Sequence, residues 1–261
     1  MKHEFVTSDG LHMAGYDEGQ GRAVIFQHGL GGDQTQVAGV FPTSQFRRLT
    51  LECRAQGHSQ AGDPAYFSIQ QFADDVLAFA DARGVDKFAI GGISMGAAIA
   101  LRLAVIAPTR LTALILSRPA WDWHAAPSNM AVFLELIKFT SARDRAGFEA
   151  TKVAQHFAKF APDNYATLLN HFERPNTEVI AELLGRISKD GPRISEQDVR
   201  SIKVPTLVIG NDTDLIHPLE LAHRLNDAIP HAQFVQVAAK AFHPELHAQE
   251  CRSAIATFLN K

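Results

Sequence analysis

The chain has 261 residues, of which 46% are hydrophobic, enough for one large domain or a core with an insertion, and its formal net charge of −3 is spread along the sequence. That balance gives no electrostatic reason to bind nucleic acid or an anionic membrane, and no apolar run is long enough to span a bilayer. Cys53 and Cys251 lie far apart and lack C-x-x-C partners, which argues against a disulfide scaffold or a thiolate metal site. The opening Met1-Lys2-His3-Glu4-Phe5 lacks the apolar stretch of a secretory signal, so a soluble cytoplasmic protein is expected.

Strand-like and helix-like segments alternate through the first part, the pattern of a parallel sheet with crossover helices. Ala23 to Gln27 predicts a strand running into His28-Gly29-Leu30-Gly31-Gly32, and Leu49 to Cys53 predicts the next, ending in Arg54 to Ser59. Ser68, with Gln71 three residues on, caps a helix whose apolar stripe is Ile69, Phe72, Val76 and Ala80. Phe88-Ala89-Ile90 predicts a buried strand and Met95 to Ala107 a helix, stopped by Pro108. A further strand is expected over Ala113 to Ser117. From about Pro119 the periodicity is helical and rich in aromatics, with no convincing strand. Alternation resumes at Val204 to Gly210 and runs through Phe234 to Val237 to a helix ending near Leu259. Residues 119–202 are therefore read as a helical cap inserted into a core formed by 1–118 and 203–261.

The chemistry centres on Gly91-Gly92-Ile93-Ser94-Met95-Gly96, which sets one serine between a strand and a helix of small residues. So sharp a turn strains Ser94 and leaves no room for side chains at Gly92 and Gly96. In return the hydroxyl stands at a helix N-terminus, where unpaired N–H groups favour a developing oxyanion. This is the nucleophile-elbow pattern, and with it the chain resembles the α/β-hydrolase family. The resemblance implies an α/β fold in which a mostly parallel sheet is flanked by helices, with the helical cap inserted. It also implies a nucleophile, an acid and a histidine in that chain order.

Gly210 to Pro218 resembles the family's acid loop, which assigns the acid to Asp214, with Asp212 as the less favoured choice. For the base, His243 lies 29 residues beyond Asp214, close to the family's spacing, but without the usual Gly-His pair. His247 competes with it. Pro244 suits the first turn of a helix, and on such a helix His247 would share an apolar stripe with Cys251 and Phe258 as a packed core residue. The sequence leaves the two histidines open. His28 to Gly32 resembles the family's H-G-x-x-G turn, so the oxyanion donors implied are the backbone N–H groups of Leu30 and Met95. Arg54 and His58 lie in a stretch resembling a loop that the family uses structurally.

Pocket candidates are His28, Gly29, Arg118, Trp121 and Trp123, the last three because they follow the strand ending at Ser117. Arg118 could bind a substrate carboxylate or form a structural ion pair. No H-E-x-x-H or phosphate-loop pattern is present, so neither a metal nor a cofactor is expected. The leading expectation is hydrolysis of a small carboxylic ester or lactone. Cleavage of a C–C bond in an acidic substrate and a non-hydrolytic small-molecule receptor on the same fold are the alternatives. Serine at the elbow argues against the dehalogenase and epoxide hydrolase branches, which carry aspartate there. The oligomeric state is left open.

Overall fold

Along the strand Ala23–Gln27, Val24 and Phe26 join one apolar cluster while Ile25 joins another. An extended chain buried on both faces requires this alternation. The computed structural model describes residues 2–261 and builds an eight-stranded sheet on that plan. The strands are β1 (Lys2–Val6), β2 (His12–Glu18), β3 (Ala23–Gln27), β4 (Arg47–Leu51), β5 (Phe88–Ile93), β6 (Leu111–Ser117), β7 (Thr206–Asn211) and β8 (Gln233–Val237). Across the sheet they run β1-β2-β4-β3-β5-β6-β7-β8. The β1–β2 and β2–β4 pairs are antiparallel and the remaining pairs are parallel. The antiparallel pair at the amino terminus is absent from the sequence reading, because β1 buries only Phe5 and gives no periodic signal.

The helices α1 (Gln34–Val40), α2 (Ile69–Ala82) and α3 (Met95–Ile106) follow β3, β4 and β5. Between β6 and β7 come α4 (Ala131–Thr140), α5 (Arg145–Glu149), α6 (Lys152–Phe160), α7 (Pro162–Leu169), α8 (Thr177–Lys189) and α9 (Glu196–Arg200). No strand interrupts them among the described residues. The chain closes with α10 (Leu219–Ala228) and α11 (Pro244–Leu259). Helices α2, α3 and α10 cover one face of the sheet, and α1 and α11 the other. The helical segment is continuous with the first face, since Met130, Phe133, Leu136 and Leu168 belong to the same buried cluster as Leu116 and Val208. No helix among the described residues is long and apolar enough to cross a membrane.

Local signals act as the sequence suggests. Ser68 Oγ accepts the Gln71 N–H at 3.1 Å, and Ile69, Phe72, Val76 and Ala80 are buried beneath α2. From β3 the chain passes to β4 on one side of the sheet and then returns to β5 on the other. The turns after β3 and β5 therefore flank the crevice that opens where strand order reverses, at the carboxyl ends of the strands.

Candidate active site

Ser94 joins β5 to α3 with φ 56° and ψ −112°, a conformation that L residues rarely adopt. Its N–H is held by the Ser117 carbonyl at 3.0 Å, so the strained residue is fixed by the neighbouring strand end. The turn is closed by glycine. A Cβ on Gly92 would lie 2.4 Å from the Gly96 carbonyl carbon, and one on Gly96 would lie 2.3 Å from the Gln27 oxygen, backbone atoms that cannot yield. The Ser94 side chain does not cap α3 and borders a cavity of about 50 Å³.

The turn after β3 forms the facing wall. Gly29 N–H donates to Gln36 Oε1 and Gly31 N–H to Gln56 Oε1, each at 2.7 Å. Among the described residues, the N–H groups of Leu30 and Met95 between and beside these bonds have no acceptor. His28 does not reach the cavity. Its Nε2 accepts the Cys53 N–H at 3.0 Å and its Nδ1 donates to the Gly29 carbonyl at 2.8 Å, so this fully buried ring clamps two loops together.

Asp214 is 8% exposed in the loop after β7, and its two oxygens are divided between partners. Oδ2 accepts from Arg118 Nε at 3.0 Å and Nη2 at 2.5 Å, while Oδ1 accepts from His217 Nδ1 at 2.8 Å and the His217 N–H at 3.0 Å. Burial works to raise the carboxyl pKa, but Arg118 and His217 hold it well below the usual carboxylate range. His217 lines the Ser94 cavity, and burial pushes its imidazole pKa below the ordinary value. His217 falls within the Gly210 to Pro218 acid loop, and no role for it is expected from the sequence. The available signal is its i, i+3 spacing from Asp214, which a tight turn converts into contact.

Neither expected base meets Asp214. His243 is exposed at the start of α11, where its backbone N–H donates to the Ala239 carbonyl and its own carbonyl accepts the His247 N–H. His247 is buried on the stripe of α11 with Cys251 and Phe258; its Nδ1 donates to the Ala238 carbonyl at 2.9 Å and its Nε2 lies 3.6 Å from Cys251 Sγ. Trp121 also turns away, its indole N–H donating to the Asp190 carbonyl at 3.0 Å. Trp123 borders a separate surface cavity beside Arg224. Gly29 and Arg118 do line the Ser94 cavity. Arg54 is structural, its guanidinium held by Asp75 and Asp9.

The helical segment reaches all three loops around the cavity. Asn164 Oδ1 accepts the N–H groups of Leu215 and Ile216 at 2.8 and 3.1 Å. Asp163 takes Lys240 Nζ on both carboxylate oxygens, at 2.8 and 3.0 Å. Arg174 donates to the Gly31 carbonyl, and the His171 ring covers Gly31. Behind Arg118 and Lys240, a second cavity of about 240 Å³ extends toward His247. Among the described residues, no group of three or more His, Cys, Asp or Glu side chains is placed to hold a metal ion.

A model of the alpha/beta hydrolase fold matches residues 22–245. A protein of Variovorax paradoxus (strain S110), provisionally named carbamate hydrolase RutD, is 25% identical over 225 residues, covering 84% of each chain. The 2-hydroxymuconate semialdehyde hydrolase of Pseudomonas putida is 26% identical over 235 residues, 84% of this chain and 79% of that one. Among solved structures, the enol-lactonase from Burkholderia xenovorans LB400 superposes with a TM-score of 0.77 at 21% identity, over 99% of this chain and 100% of its own.

Proposed function

Given that this chain belongs to the alpha/beta hydrolase fold family, we propose that it is a serine hydrolase cleaving a small carboxylic ester or lactone through an acyl-enzyme. The observation that carries this reading is Ser94 held at φ 56° with its side chain on a cavity that Leu30 also lines, the Leu30 N–H having no acceptor among the described residues. Such a serine attacks the substrate carbonyl carbon while the Leu30 and Met95 N–H groups hold the oxyanion. These donors are fixed before charge develops and cost no reorganisation. A neutral base takes the serine proton and returns it to the leaving oxygen, after which water repeats the cycle on the acyl-enzyme.

The helical segment 119–202 acts as a cap on this reading, with Met130 and Phe133 bounding the acyl end of a cavity of about 50 Å³. So small a space suits a short acyl group. The relatives' names include a carbamate and an enol lactone, substrates with a carbonyl attached to a leaving heteroatom. Cleavage of a C–C bond in an acidic substrate is less well supported, because Arg118, its expected carboxylate partner, is committed to Asp214. Ser94→Ala should lower hydrolysis of p-nitrophenyl acetate and butyrate by about 10³-fold or more, with an unchanged circular dichroism spectrum. Near-normal turnover by the folded variant would overturn the assignment of Ser94, and absence of turnover in the unmutated protein would favour a non-hydrolytic receptor.

A further inference from the structure

The acid loop carries its own imidazole. His217 sits three residues after Asp214, and its ring Nδ1 and backbone N–H both engage Asp214 Oδ1, at 2.8 and 3.0 Å. Arg118 occupies Oδ2, so the carboxylate orients the imidazole with one oxygen while the other is neutralised. A carboxylate accepts but does not donate, which fixes the proton on Nδ1 and leaves Nε2 as the basic nitrogen. The side chain is 10% exposed and lines the same cavity as Ser94. We infer that His217 is the general base of the serine hydrolysis proposed above, on which reading this inference rests. Acid and base then come from one loop instead of from two separate ones.

The other candidates are otherwise engaged. His28 spends both ring nitrogens on Gly29 and Cys53. His247 donates from Nδ1 to the Ala238 carbonyl and turns Nε2 toward Cys251. Lys240 lines the cavity, but as an ammonium clasped by Asp163 it has no lone pair to accept a proton. His243 points into solvent.

In the acylation step the Ser94 Oγ–carbonyl carbon bond forms as the Oγ proton passes to His217 Nε2, and the carbonyl electron pair moves onto oxygen. Collapse of that oxyanion breaks the carbon–oxygen bond of the leaving alcohol, which takes the proton from Nε2. Water then adds to the acyl carbon, giving its proton to Nε2, and the acyl–Oγ bond breaks as Ser94 recovers that proton. The charged groups facing the ring are Asp214, which favours imidazolium, and Arg118 and Lys240, which oppose it; Arg118 Nη2 lies 3.2 Å from Nδ1. Asp163, paired with Lys240 and 3.7 Å from Arg118, completes the set.

The test compares the full chain with Ser94→Ala, His217→Gln, His243→Ala and His247→Ala, measuring p-nitrophenyl acetate turnover, labelling by a fluorophosphonate and circular dichroism. Expected is a loss of about 10³-fold in kcat for folded His217→Gln with little change in KM. Should that variant fail to fold, the pH dependence of the labelling rate in the wild-type protein and in His247→Ala decides. A single acidic limb with its midpoint below about 6.5 that persists in His247→Ala, whose replaced ring is also depressed by burial, supports a buried base at His217, whereas one at or above about 6.5 overturns it in favour of a solvated histidine. The inference also falls if His217→Gln stays within about threefold of wild type, or if His243→Ala or His247→Ala alone produces the large loss. In those cases an inactive, unlabelled Ser94→Ala leaves the serine reading standing. Turnover and labelling that survive in Ser94→Ala sink that reading instead, so the two failures are distinguishable.

Discussion

Arg118 carries a full charge at 7% exposure, at φ 46° where the chain leaves β6, and its guanidinium is matched by Asp214. Replacing it with leucine strands a carboxylate in the interior, and a buried pair broken on one side typically costs about 3–5 kcal/mol. Arg118→Leu should therefore lower the urea-derived unfolding free energy by that order, whereas an unchanged value would mean the pair is not formed. The pairing joins residues 96 positions apart, so nothing local in the sequence could reveal it. Trp121 teaches the same lesson, because its place after a strand end suggests the pocket while its indole finds a carbonyl 69 residues away. For His247, helical spacing offers the packed stripe with Cys251 as one of two open readings, and in the structure its ring lies buried against that cysteine.

At the scale of elements, the strand–turn–helix around Ser94 was readable because its determinants are neighbours in sequence: an apolar strand, two glycines and a small-residue helix. The antiparallel β1 and β2 were not, since their pairing depends on register with β4 more than on their own composition. Nor was the dependence of the acid loop on α7. Asn164 is 2% exposed and is the acceptor for two backbone N–H groups of that loop. Asn164→Leu keeps the volume and removes the acceptor, leaving the half-buried Leu215 donor and the buried Ile216 donor unpaired, the latter at a cost of roughly 1–3 kcal/mol. A matching fall in the denaturation free energy is expected, accompanied, on the proposed mechanism, by reduced turnover as the loop between Asp214 and His217 loses its anchor. Full stability and full activity in this variant would show that the loop does not depend on α7.

For the molecule as a whole, burial holds the imidazoles of His28, His171, His217 and His247 below their ordinary pKa, that of His171 at about 3. The unfolded chain binds protons at these positions as pH falls below about 6.5, while the folded chain resists. Stability is therefore fully present above that pH and declines as acid is added, through the window between the unfolded and the depressed folded values. Urea melts at pH 7.5, 6 and 5 should show a progressive loss, and a constant midpoint across that range would contradict it. The contacts of the helical segment with Gly31, with Leu215 and Ile216, and with Lys240 have a mechanical consequence. A lever pinned at three points cannot swing clear while all three pins hold. Large-scale opening would unfasten the turn after β3, the acid loop and the approach to α11 together, dismantling the proposed reaction centre it uncovers. If the proposed hydrolysis takes place there, substrate must pass by small adjustments of the cavity walls, and the widest gap the protein can open is also the one in which it is least able to react.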